Sequence, residues 1–235
     1  MNLTFTPIGI IHSPFKEKFG VPRQPGIAPA ARATLELLPP YDRDEALESL
    51  AGFSHVWLVF VFHATADQGW HPTVRPPRLG GNARVGVFAS RSMFRPNPIG
   101  LSVVELAGFG REDGKLVLHL RGADLIDGTP VLDIKPYVPY VDSIPDARGG
   151  FAGSAPEARL EVCFTAEAEA QLAVREARHP RLRELIVQVL GADPRPAYRE
   201  DEPVERIYGM RLLDFDLRWR VEGASAVVVE LRTLA

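Results

Sequence analysis

Eight short apolar runs fill the first two thirds of this 235-residue chain: "TFTPIGIIHS", "ARATLELL", "HVWLVFVFH", "ARVGVFA", "LSVVELAGF", "KLVLHLRG", "PVLDIKPY" and "ARLEVCFT". All are strand-like in composition, and turn chemistry separates them. In "REDGK" (Arg111 to Lys115) an Asp-Gly pair lies between two apolar runs, a strong hairpin signal. One helical segment, Asp42 to Leu50 with Asp42 as its N-cap, interrupts the series. Many strands with so little helix must bury their apolar faces against one another, which predicts an antiparallel sandwich or barrel.

Near Thr165 the pattern changes. "HPRLRELIVQVLG" carries Leu182, Leu185, Ile186, Val189 and Leu190 on one face of a helix that Gly191 stops. Pro180 suits the first turn of that helix, so a preceding one ends near Arg178. Further on, Leu213, Phe215, Leu217, Trp219 and Val221 alternate with charged residues, the pattern of a strand buried on one side, and "EGAS" turns it into a last strand "AVVVELRTL". Residues 1–165 therefore read as an all-β domain and 166–235 as a small α+β domain. The Gly- and Ala-rich "DARGGFAGSAPEA" (Asp146 to Ala158) between them reads as a surface loop or a lid.

Several chemistries are excluded. The longest apolar run, "VWLVFVF", is far below the roughly 20 residues that span a bilayer. The N-terminus lacks the basic-then-apolar plan of a secretion signal, which points to the cytoplasm. A single cysteine, Cys163, rules out an internal disulfide and reads as a buried strand residue. The six histidines show no metal-ligand spacing, so no metal is expected. "LGGNARVG" and "GGFAGS" do not follow a strand and open a helix, so neither is a dinucleotide fingerprint.

Two segments exceed what local structure requires. "RSMFRPNPIG" (Arg91 to Gly100) holds two arginines and an asparagine between prolines that fix the backbone, a stiffness that favours binding. It lies in a stretch, Gln68 to Val104, without Asp or Glu but with Arg75, Arg78, Arg84, Arg91 and Arg95. Such a run can follow a phosphate backbone or hold one anionic small molecule. In "GADLIDGTPVLDIKPYVPYVDS" (Gly122 to Ser143) the acids Asp124, Asp127, Asp133 and Asp142 mix with Lys135, Tyr137 and Tyr140, more than a hairpin needs and suited to a nucleoside pocket.

"FGVPRQPG", "VFVFH", "GVFASRSMFRPNPIGLS" and "DLIDGTPVLDIKPYVPYVDS" resemble the successive motifs of the TsaA-like (TrmO) family. The resemblance implies a β-barrel that works as a homodimer, so the chain is expected to be mainly β, an N-terminal antiparallel β-barrel followed by the small α+β domain read above. It implies an S-adenosylmethionine-dependent methyltransferase acting on N6 of N6-threonylcarbamoyladenosine, immediately 3′ of the anticodon in tRNA. The family's cofactor contacts fall on Pro22, Arg23, Gln24, His63, Ala64, Arg91, Leu101, Asp124, Leu125, Ile126 and Asp127. For the N–H of the target nitrogen, Asn97 is the candidate acceptor, with Asp127, Asp133 or Asp142 as alternatives; Arg95, Lys135, Tyr137 and Tyr140 are candidates for holding the modified adenosine. A non-catalytic RNA- or nucleoside-binding module and a small-molecule methyltransferase are the competing readings.

Overall fold

A computed structural model of the chain describes residues 3–80, 82–154, 160–195 and 206–234. In chain order the strands of the first part are β1 (Gly9–His12), β2 (Arg32–Leu37), β3 (His55–Val61), the two-residue β4 (Thr73–Val74) and β5 (Val85–Gly86), β6 (Ile99–Glu112), β7 (Lys115–Arg121) and β8 (Pro130–Pro136). Six of them close a ring in the order β1-β2-β7-β6-β3-β8, with β8 paired back onto β1. Strand alternation explains the closure: in β3, Val56, Leu58 and Phe60 are buried inside while Trp57, Val59 and Val61 face outward. Ile11, Leu35, Leu58, Val104, Leu118 and Val131 fill the interior. The β6–β7 hairpin turns at Asp113 and Gly114, both at positive φ (50° and 81°), as the Asp-Gly pair requires.

Gly100 is needed for space. A Cβ there would lie 2.2 Å from Cζ of Phe60, its partner across β3 and β6. Gly100→Ala is expected to destabilise the chain by about 1–3 kcal/mol, the usual overpacking cost, read as a lower urea midpoint. An unchanged midpoint would show that the ring moves aside freely.

After a single helical turn, α1 (Pro139–Asp142), come β9 (Glu161–Phe164), α2 (Ala166–Glu176), α3 (Leu182–Gly191), β10 (Tyr208–Leu212), β11 (Phe215–Glu222) and β12 (Ser225–Thr233). The second sheet has the order β10-β11-β12-β9. Thr165 caps α2, its Oγ1 accepting from Ala168 N at 3.2 Å. The α3 stripe, Leu182, Leu185, Ile186, Val189 and Leu190, is buried against the sheet, in a core that also holds Phe215 and Trp219. The mainly β chain with a C-terminal α+β region agrees with the reading of the sequence. No described helix is long and apolar enough to cross a membrane.

A strap, Ser13 to Ala31, joins the two cores as it runs from β1 to β2. Phe15, Ala28, Ala30 and Ala31 are buried in the second core, not the first. Phe15 bridges to Leu212, and Ala30 N donates to Gln188 Oε1 at 2.8 Å. Arg23 donates to the carbonyls of Asp193 and Arg195, which form an almost fully buried ion pair at 2.9 Å.

The structure corrects several local readings. "ARVGVFA" forms only β5 and a tight turn at Val87–Ala89, because its sole partner strand is two residues long. Asp42 caps nothing: its segment makes two 3-10 turns, Asp44–Leu47 and Leu50–Gly52, broken at Ser49 (φ 66°), too short to propagate an α-helix. The strand read from Leu213 begins at Phe215, since Leu213 (φ 53°) turns the chain out of β10. β9, read with the first domain, pairs in parallel with β12. Its Cys163 is exposed rather than buried, because it lies on the outward side of an edge strand. In the Gly- and Ala-rich connection, Gly150–Ala152 form a tight turn, and 155–159 lie outside the described residues.

Candidate active site

Strand direction gathers three connections at one end of the ring. Val61 pairs with Ile99, Phe60 with Val131 and Arg32 with Arg121, so the strap, the 62–98 arm and the 122–129 turn share that end. Hydrogen bonds tie them together. Phe62 N donates to Pro98 O at 2.7 Å, Gly26 N to Gly122 O at 2.9 Å, and Asp127 N to Phe15 O at 2.8 Å. Arg91 Nη1 donates to Gln24 Oε1 at 2.6 Å, linking the proline-braced loop to "VPRQPG".

Asp124 is the electrostatic centre of this end. Burial pushes its carboxyl up to about 6, against the pull of the Ser102 hydroxyl, its own backbone amide and the Arg91 charge. Its Oδ1 is buried and has no hydrogen-bond partner among the described residues. The Arg91 guanidinium is exposed and spends one bond on Gln24, leaving donors for a ligand. A buried acceptor and an exposed guanidinium at one end of the ring fit a molecule that carries a cation or hydroxyl at one point and a carboxylate at another.

The rest of the 124–127 turn is committed to the fold. The Leu125 side chain is 2 % exposed and belongs to the ring's core, and Ile126 is half-buried. Asp127 is held on both oxygens, Oδ1 by Ser13 N at 2.9 Å and Oδ2 by Lys16 Nζ at 2.8 Å. Half-buried Pro22, half-buried His63 and exposed Ala64 lie in connections at this end. Leu101, 52 % exposed, faces outward opposite Val59.

Inside the proline-braced loop the side chains divide the work. Arg95 donates to the carbonyls of Ser90 (2.8 Å) and Val87 (3.2 Å), so it stiffens its own loop. Asn97 is exposed and its side chain makes no described hydrogen bond, while its carbonyl accepts from Ile99 N at 2.7 Å. Asn97 thus has a free amide on a fixed backbone. Ser102 is a further candidate that the sequence reading missed: the one hydroxyl among the inward positions of β6, only 3 % exposed, and a partner of Asp124. Its break in the apolar alternation was the available signal.

Lys135, Tyr137, Tyr140 and Asp142 lie at the opposite end of the ring. Lys135 is opposite Trp57, and Tyr137 N donates to His55 O at 3.0 Å, at the start of β3 rather than its end. Six residues of strand separate His55 from Val61, roughly 20 Å. Lys135 is paired with Asp133 at 2.7 Å, and Asp142 Oδ2 accepts from Val138 N at 2.7 Å, closing the turn of α1. Tyr140 projects into solvent, 88 % exposed. Among the described residues no group of three or more His, Cys, Asp or Glu is placed to hold a metal.

Comparison with known proteins agrees with this architecture. The family model of the tRNA-methyltransferase O N-terminal domain matches residues 10–143, and that of the TrmO C-terminal domain matches 157–234. The chain is 54 % identical over 230 residues to the tRNA (adenine(37)-N6)-methyltransferase of Escherichia coli K12, covering 98 % of both. It is 54 % identical over 220 residues to a putative S-adenosylmethionine-dependent methyltransferase, RcsF, of Pseudomonas aeruginosa, covering 93 % of both. A crystal structure of TrmO from Pseudomonas aeruginosa superposes with a TM-score of 0.81 at 45 % identity, covering 98 % of each chain. With both family domains matched in order on one chain, and with a fold shared over nearly its whole length, this protein belongs to the tRNA-methyltransferase O family.

Proposed function

We propose that this chain transfers a methyl group from S-adenosylmethionine to N6 of the adenosine immediately 3′ of the tRNA anticodon, with the N6-threonylcarbamoyl form as substrate. What supports the reading most is that half-buried Asp124, whose Oδ1 is shut off from solvent, lies at the same end of the ring as the exposed Arg91, whose charge acts on it. When bound, S-adenosylmethionine supplies an electrophilic methyl carbon on a positively charged sulfur. Asp124 offers that charge a carboxylate in a site of low dielectric, and Arg91 suits the methionyl carboxylate. The apolar side chain of Leu101 and the half-buried Pro22 and His63 offer surface to the remainder.

Alignment of the acceptor nitrogen is the main task left to the protein. The Asn97 amide oxygen accepts a hydrogen bond from N6–H and draws the nitrogen lone pair out of conjugation; as the N–C bond forms and the S–C bond breaks, the N6 proton passes to solvent, because an amide is too weak a base to keep it. Asp127 and Asp142, both spent on backbone amides, act as positioning residues. Asn97→Ala is expected to lower methyl incorporation into tRNA about 10²-fold with unchanged affinity for S-adenosylmethionine. A normal rate would remove Asn97 from the mechanism. S-adenosylmethionine that stabilises the wild-type protein without labelling precursor-bearing tRNA would make the chain a binding module.

Two copies account for the residues at the far end. The outer face of β3 and β6 is apolar, with Val59, Val61 and Trp57 beside Leu101 and Ile99, and Tyr140, Val141 and Ile144 stand 60–88 % exposed nearby. A twofold axis across β3 reverses its direction, carrying Lys135, Tyr137 and Tyr140 of one copy toward the Arg91–Asp124 end of the other. Those three side chains then hold the modified adenosine in trans. Arg91→Ala and Tyr137→Ala proteins, each inactive alone, are expected to regain activity when mixed and refolded together. Mixtures as inactive as their components would rule out the shared site. On the same reading the boundary between the two domains falls between α1 and β9, because β9 belongs to the second sheet.

A further inference from the structure

The arm between β3 and β6 carries features that the transfer chemistry leaves unused. Thr73 pairs with Gly86 and Val74 with Val85, so one further step of that register sets Arg75 opposite Arg84. Like charges directly opposite in an antiparallel ladder repel. Nothing described relieves them: both are exposed, neither has a hydrogen bond or ion pair, and no Asp or Glu occurs from Gln68 to Val104. A phosphate between them would turn that repulsion into two charge-assisted contacts.

Closer to the active site the same arm exposes rings. Trp70 is 52 % and Phe88 75 % exposed, on the two sides of the hairpin's base, where Val87 N donates to Pro72 O at 3.0 Å. Arg95 lies over the Phe88 ring at 5.7 Å and holds it away from the core. Behind the tip, Arg78 donates to the Ser154 carbonyl, fastening the 146–154 segment, which adds the exposed Arg148 and one acid, Asp146. Unpaired arginines at a tip and bare aromatics at a base make a surface for looped, single-stranded RNA. Phosphates take the cations and unstacked bases take the rings.

We infer that this hairpin arm is an RNA-docking surface, with Arg75 and Arg84 sharing backbone phosphate and Trp70 and Phe88 stacking bases that flank the target nucleotide. The inference rests on the tRNA reading above and names the part of the chain that grips the loop. The test measures binding of fluorescently labelled tRNA against salt, with affinity for S-adenosylmethionine measured separately by calorimetry. For the Arg75→Ala/Arg84→Ala double variant, tRNA affinity is expected to fall about tenfold or more and the log–log salt slope to drop by about 1.4, the loss of two single-strand phosphate contacts. For Trp70→Ala/Phe88→Ala, affinity is expected to fall about tenfold with the slope unchanged. Affinity for S-adenosylmethionine stays constant in both. Wild-type salt-dependent tRNA binding that neither double variant alters overturns the arm's role and leaves the methyltransferase reading standing. Weakened S-adenosylmethionine binding in either variant also overturns it, because the arm would then act through the cofactor site. A wild-type protein that binds no tRNA overturns both.

Discussion

Asp124→Asn is expected to slow methyl transfer by about two to three orders of magnitude and, above pH 6, to make the folded chain more stable by about 3 kcal/mol. The two effects have one cause. Burial raises the carboxyl to about 6 from the ordinary 3.8, so its ionised form is unfavourable in the folded protein. Below about pH 4 the group is protonated in both folded and unfolded chains and costs nothing. Between about 4 and 6 the unfolded chain releases the proton first, and stability falls as pH rises; above 6 the full cost of about two pH units is present. Asparagine does not ionise, so the gain it brings is full at pH 8, smaller at pH 5 and gone near pH 4. Urea midpoints of both proteins at pH 5 and 8 measure it. The expected loss of rate follows from the proposed role of Asp124, a charge no longer offered to the sulfonium. Equal midpoints at pH 8 would show that the carboxyl is not desolvated, and an active Asp124→Asn protein would exclude it from the site.

Trp219→Ala is expected to cost about 3–5 kcal/mol, the usual loss for a large aromatic removed from a core. Trp219 is 0 % exposed and stacked between Phe19 at 5.7 Å and Tyr208 at 5.6 Å. Phe19 belongs to the strap, and the strap's Gln24 holds Arg91. Loss of the indole therefore unseats a segment of the proposed active site from a distance, and affinity for S-adenosylmethionine is expected to weaken along with the urea midpoint. Trp219→Phe should cost far less, because it keeps a ring in the stack and removes an indole N–H that is buried without a partner among the described residues. A midpoint shift below about 1 kcal/mol for Trp219→Ala would mean the two cores are not coupled through the strap.

Strands such as β3 and β11 and the α3 stripe were readable because their periods report one buried face, a property of neighbouring residues alone. The "ARVGVFA" run misled because its apolar residues have no long strand to pair with, and pairing is set by residues far away in the chain. Cys163 misled similarly: its flanks are apolar, but β9 is an edge strand and that side of it faces solvent. Within the site, the stiffness of "RSMFRPNPIG" was visible in its prolines. That Arg95 would spend its guanidinium on the loop's own carbonyls while Asn97 kept its amide free was not.

The strand and helix periods, the Asp113–Gly114 turn, the acid-free arginine run and the family resemblance are all written in residue type and spacing along the chain. It took the folded chain to bring the Arg91 loop and the Asp124 turn to one end of the ring and to leave Lys135 and Tyr137 at the other. The end to which a connection belongs follows from strand direction and from the place of β3 between β6 and β8. The acidity of a carboxyl follows from how many distant segments exclude water from it.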